Sequence, residues 1–153
     1  MKQLTKLTKP VSPIFHETLP KAGRDLVFVS HANVTQILLA NVGAFNFEPV
    51  AGSAMFDGEG NLEAEKWRLT VNVDGEEVSV VSTGDYDGPK GKGQGFRGQV
   101  IEGNALRRAA MRLGVFLEGW VDGASGSGKY IVHNYLASLD EESVSTEAQE
   151  DSQ

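Results

Sequence analysis

Between Lys66 and Val73 the side chains alternate, with Trp67, Leu69, Val71 and Val73 on one side and Lys66, Arg68, Thr70 and Asn72 on the other. A period of two marks a strand with one buried face. Asp74-Gly75 follows, a pair suited to a two-residue turn in which both central residues take positive φ. The valine-rich run Glu77 to Thr83 supplies the return strand, so this segment predicts a β-hairpin. Two helical stripes flank it. Val34, Ile37, Leu38 and Val42 recur at helical spacing before Gly43, and Asn33-Val-Thr-Gln36 reads as a capping box at their start. Ala105, Leu106, Ala109, Leu113, Phe116 and Leu117 form the second stripe and predict a long helix over Gln99–Leu117. Gly103 inside it costs about 1 kcal/mol relative to alanine and favours a later start. Leu26 to Val29 reads as a short strand, and Phe45 to Phe56 as extended chain broken by Pro49 and Gly52.

The remaining stretches lack a period. Residues 1–22 contain Pro10, Pro13 and Pro20 and read as an N-terminal arm. Gly84 to Gly98 holds six glycines, Pro89 and two lysines, a composition that predicts a mobile loop. Gly119 to Gly128 is a second glycine-rich loop, followed by a short apolar segment, Tyr130 to Leu139. Residues 140–153 are acidic and poor in apolar side chains, which predicts a disordered tail. The organisation is then an arm, one folded domain over 23–139, and the tail. No internal repeat is visible.

A chain of 153 residues suits a single core. It has no cysteine, which excludes disulfide scaffolds, thiolate nucleophiles and Cys-ligated metal sites. No apolar run reaches the roughly 20 residues needed to span a bilayer, and the first thirty residues lack a secretory pattern. The expectation is a cytoplasmic protein with no membrane association. The net charge of −7 argues at first against nucleic acid. Its distribution argues otherwise: residues 25–89 carry −9 and the tail −6, whereas 90–112 carry +5. Such a basic segment in an acidic chain reads either as an anion-binding surface or as a solvated helix face.

Gly123-Ala-Ser-Gly-Ser-Gly128-Lys129 has the spacing of a phosphate-binding loop. The next residue is Tyr130, where a Ser or Thr would hold magnesium, so a Gly/Ser connector is the better reading. Asp57-Gly-Glu-Gly-Asn61 fails as a calcium loop, because its sixth and twelfth positions are Leu62 and Arg68. Asp85 and Asp87 read as turn residues. His16, His31 and His133 show no ligand spacing. No nucleophile elbow is present, so neither an enzyme nor a cofactor is expected.

The string Gly103-Asn-Ala-Leu-Arg-Arg-Ala-Ala-Met-Arg-Leu-Gly114 resembles the signature helix of Rad-fifty-two-type single-strand annealing proteins. Val27 to Gly43 is similar to that family's early strand and short helix, and Tyr135-Leu-Ala-Ser-Leu139 to its closing segment. The likeness covers roughly residues 25–139 and is nearest to compact phage versions. It implies an α+β fold with a β-β-β-α core, its curved antiparallel sheet packed on the long helix, in subunits that join as a ring or filament. It also implies recombination or repair through single-stranded DNA held in a basic groove, without ATP. On that resemblance Arg107 and Arg108 match the DNA-contacting basic pair. The third basic position falls on Met111, with Arg112 one residue later, and the family's basic residue on the short helix falls on Asn33. Lys90, Lys92 and Arg97 are further candidates from the basic segment. Expected partners are single-stranded DNA, further copies of the chain, and a recombination or replication protein on the acidic tail. The alternatives are a single-strand-binding module that does not anneal, and a structural or regulatory oligomer whose basic helix is an interface.

Overall fold

A computed structural model describes residues 2–21 and 24–120. Residues 121–128 of the second glycine-rich loop, the Tyr130–Leu139 segment, His133 and the acidic tail lie outside the described residues. The described part is an α+β fold: antiparallel sheets with helices packed on them.

The hairpin forms as its alternation predicts. Strand β5 (Leu62–Val73) pairs antiparallel with β6 (Glu76–Asp85), from Ala64 opposite Asp85 to Val73 opposite Glu76. Asp74 and Gly75 both take positive φ, 51° and 87°, and the Asn72 side chain accepts from Gly75 N at 3.0 Å. The other edge of β5 is shared by two short strands. β3 (Asn46–Pro49) lies against Trp67–Thr70, and β4 (Met55–Phe56) against Leu62–Ala64. The extended Phe45–Phe56 stretch thus resolves into two strands at the interruption its Pro49 and Gly52 predict.

Leu69, Val71 and Val73 of β5 are buried on the inner face of this sheet. Helix α3 (Gln94–Arg112) packs on the same face through Ile101, Ala105, Leu106 and Ala109. Close approach of helix and sheet requires Gly84, since a Cβ there would lie 2.0 Å from the Ile101 carbonyl oxygen. Helix α2 (His31–Val42) completes the core with Val34, Leu38 and Val42 and stops at Gly43, φ 77°. Its His31 rests 3.1 Å from where a Gly103 Cβ would be. That contact explains a glycine inside α3 despite its cost.

Four expectations change. The cap of α2 is Ser30, whose Oγ accepts from Asn33 N at 3.2 Å. The helix therefore begins two residues before the proposed capping box. α3 begins at Gln94, not Gln99, and ends at Arg112, so Gly95 and Gly98 are helical and the loop shrinks to 86–93. Tertiary bonds outweigh the low helix propensity there. Gln94 Oε1 accepts from Leu62 N, and its Nε2 donates to Gly60 O, each at 2.8 Å. Gly84 belongs to β6 rather than to the loop.

Finally, the N-terminal stretch is built into the fold rather than hanging off it. Helix α1 (Lys2–Leu7) buries Leu7, and the chain beyond it buries Val11. Full burial of one such leucine contributes about 2 kcal/mol. Gln3 exchanges hydrogen bonds with Asp74 at the hairpin turn: Asp74 N donates to Gln3 Oε1 at 2.5 Å. After a 3₁₀ turn at Pro13–Phe15, β1 (His16–Lys21) pairs with β2 (Arg24–Val29) as a separate two-stranded sheet. Pro20 is tolerated because β1 is an edge strand. Helix α4 (Leu117–Trp120) follows α3 and contributes the buried Glu118, whose Oε1 accepts from Val11 N at 2.9 Å.

Candidate functional site

Near its C-terminal end α3 carries Asn104, Arg107 and Arg108 at spacings of three and four, which places them on one face. Asn104 is 6% exposed and acts as the hub. Its Oδ1 accepts from Arg107 Nη2, while its Nδ2 donates to Asp85 O at 2.8 Å and to Asp87 Oδ1 at 3.2 Å. Arg108 Nη1 donates to Thr83 O at 2.7 Å and forms an ion pair with Asp85. The arginine pair is thus fixed against the end of β6 and the start of the following loop.

Arg107 faces the β1–β2 sheet, with its guanidinium centre 5.5 Å from the Phe28 ring. Burial is the main cause that lowers its pKa from the ordinary arginine value, and the charge of Asp87 partly offsets it. Between the β1–β2 sheet, α3 and α4 lies a cavity of about 280 Å³. Leu19, Phe28, Phe116 and Trp120 supply apolar wall, and Arg107 with Asp87 supplies a polar end. Leu19 and Trp120 are each about half exposed, so the cavity has an aromatic and aliphatic rim open to solvent.

The other candidates lie elsewhere. Lys90, Lys92 and Arg97 line a separate cleft of about 810 Å³ with Asp57 and Glu59. Arg97 and Arg107 are ten residues apart on one helix, about 15 Å. Lys90 and Lys92 are exposed, and Lys92 Nζ sits 5.2 Å from the Phe96 ring. Arg97 is buried, its Nε donating to Lys92 O at 3.2 Å and its Nη1 to Leu62 O at 3.1 Å, with its guanidinium 4.3 Å from the Tyr86 ring. Those contacts commit it to holding the 86–93 loop against β5. Asn33 Nδ2 donates to Phe15 O at 3.3 Å, which ties α2 to the 3₁₀ turn. Arg112 is exposed at the end of α3.

Asp57 is a turn residue: its Oδ1 accepts from Glu59 N and Asn61 N, both at 2.9 Å. The backbone bond from Asn61 is the main cause that lowers its pKa below the ordinary aspartate value. Among the described residues no group of three or more His, Asp or Glu side chains could hold a metal ion. No described helix is long and apolar enough to cross a membrane. The phosphate-loop-like segment 123–129 lies outside the described residues.

The arginine pair is visible in the sequence, whereas Phe28 and Trp120 carry no signal there and Asp85 and Asp87 read only as turn residues. Those four come from segments far apart in the chain, and no local period links them to α3. Compared with known proteins, the chain matches no family model and no curated sequence.

Proposed function

We propose that this protein binds single-stranded DNA and anneals complementary strands without ATP, acting as an oligomer in recombination or repair. The observation that carries the reading is the adjacent Arg107–Arg108 pair, Arg107 braced by Asn104 and Arg108 by Thr83 O, on a helix beside a cavity with aromatic walls. Guanidinium groups with fixed geometry suit phosphate oxygens, and aromatic faces suit unstacked bases. Annealing needs charge neutralisation and accessible bases, and no nucleotide hydrolysis. Repetition of the pair around an oligomer would make a continuous track.

The test replaces both arginines by alanine. Labelled complementary oligonucleotides should anneal with the native protein in the absence of ATP. The double variant should bind single strands more weakly, with a salt slope lower by about 0.7 per lost phosphate contact. Unchanged binding and annealing would remove the assignment. A protein that binds strands but slows their pairing would instead be a single-strand-binding module.

The bonds from Arg108 to Thr83 O and Asp85 favour one second reading, in which the pair clamps α3 to β6 and serves the fold alone. In that case the double variant would lose thermal stability while no oligonucleotide bound the native protein at low salt.

A further inference from the structure

The arginines are not waiting bare for an anion. We propose that Asp85 and Asp87 are affinity-setting residues of this site: Asp85 occupies Arg108 in the free protein and gives it up, in part, to the phosphates of a bound strand, while Asp87, held on Asn104, offsets the charge of the neighbouring Arg107. The inference rests on the single-strand-binding reading above.

Three observations support it. The Asp85 carboxylate is paired with Arg108, and the two side chains are 52% and 38% exposed. An ion pair this open to water is worth only about 0–1 kcal/mol, so another anion can exchange into it. Second, the Asp85 backbone and the Asp87 carboxylate are held in place rather than free to drift. The buried Asn104 amide bonds both the Asp85 carbonyl and the Asp87 carboxylate, and the same side chain accepts from Arg107. Third, Arg108 keeps a neutral partner in Thr83 O whatever happens to Asp85. A guanidinium has five donors, so the exchange of carboxylate for phosphate leaves the arginine oriented.

This arrangement has a chemical use. Two bare arginines per subunit, repeated along a strand, would hold DNA by many additive contacts and resist release of the annealed product. A tethered carboxylate at each pair lowers every contact by a modest factor. The strand then stays bound through the number of subunits while each contact remains exchangeable.

The experiment compares Asp85→Asn and Asp87→Asn with the native protein, with the Arg107→Ala/Arg108→Ala variant, and with Glu102→Gln. Glu102 is exposed on α3, so its change alters net charge by the same amount as each aspartate change. The probe is a labelled oligothymidylate, followed by fluorescence anisotropy at low salt, and the melting temperature is recorded for each variant. Asp85→Asn should tighten binding by about two- to five-fold per engaged subunit, the size of an exposed ion pair. Asp87→Asn should tighten it in the same direction, and Glu102→Gln should gain less than either. If both aspartate variants bind no more tightly than Glu102→Gln while the double arginine variant binds more weakly, the affinity-setting role is overturned and the DNA-binding reading stands. If no form binds, the DNA-binding reading falls, and this inference with it.

Discussion

Replacing Arg97 by methionine separates structural from binding arginines on α3, because the basic-segment reading and the geometry assign it opposite roles. Methionine keeps most of the apolar stem of a residue that is 8% exposed in the native fold, and removes the guanidinium. The loss comprises hydrogen bonds to Lys92 O and Leu62 O and the stacking on Tyr86. A hydrogen bond to a charged group contributes about 1.5–3 kcal/mol, and a desolvated cation–π contact up to about 2 kcal/mol. Relief of the buried charge returns several kcal/mol of this sum. The neighbouring cleft lets water reach the freed carbonyls, which lowers the cost again. A net loss of about 2–3 kcal/mol follows, equivalent to a fall in melting temperature of about 6–15 °C for a domain of this size. Thermal unfolding followed by circular dichroism measures it. Well below the transition, oligonucleotide affinity and its salt slope should match the native protein. A melting temperature within about 2 °C of native, together with a salt slope lower by about 0.7, would refute the reasoning and return Arg97 to the DNA surface.

Three other outcomes follow from the packing. Gly84→Ala should destabilise by about 1–3 kcal/mol or more, since its Cβ would meet the Ile101 carbonyl at 2.0 Å, and urea unfolding should show a lower midpoint. Ser30→Ala should cost about 1 kcal/mol through loss of the α2 cap, whereas Asn33→Ala should leave that cap in place, as paired melting curves would show. The Asp57 carboxyl should titrate below the ordinary aspartate range in a pH series of carboxylate NMR shifts. Because its folded pKa is depressed, the stability it contributes is present above the unfolded pKa and lost as pH falls through the folded one.

What the sequence disclosed depends on how local each determinant is. The β5–β6 hairpin was legible because alternation and the Asp74-Gly75 turn lie within twenty residues. The core face of α2 was legible too, since Val34, Leu38 and Val42 repeat every turn. The start of α3 was not, because Gly95 and Gly98 oppose a helix locally and bonds from Gln94 and Arg97 to the 60–62 segment override them. The N-terminal elements were missed for a related reason. Their anchors are single residues, Leu7, Val11 and Gln3, each held by a partner far away in sequence and none repeating with a period.

The same contrast bears on where a nucleic-acid surface can lie. Along α3 the arginines differ in how far the fold has already used them. Arg97 is fully committed to carbonyls and a ring at the N-terminal end. Arg108 is shared between Thr83 O and an exposed, exchangeable carboxylate. Arg107 is anchored through Asn104 alone among its described hydrogen bonds, and it faces Phe28. On the proposed reading, the arginines that meet an anion therefore lie toward the C-terminal end of the helix, facing the β1–β2 sheet. That sheet includes residues 16–21, which pattern and composition alone place in an arm. On the annealing reading, changes at Leu19 and Phe28 should alter DNA affinity together with Arg107, while Lys90 and Lys92, in the other cleft, should contribute additively and independently. A double-mutant cycle between Phe28→Ala and Arg107→Ala, read as oligonucleotide affinity, should show coupling of about 0.5 kcal/mol or more. A cycle between Lys92→Ala and Arg107→Ala should show none. The reverse pattern would move the strand to the acidic-walled cleft and away from the arginine pair.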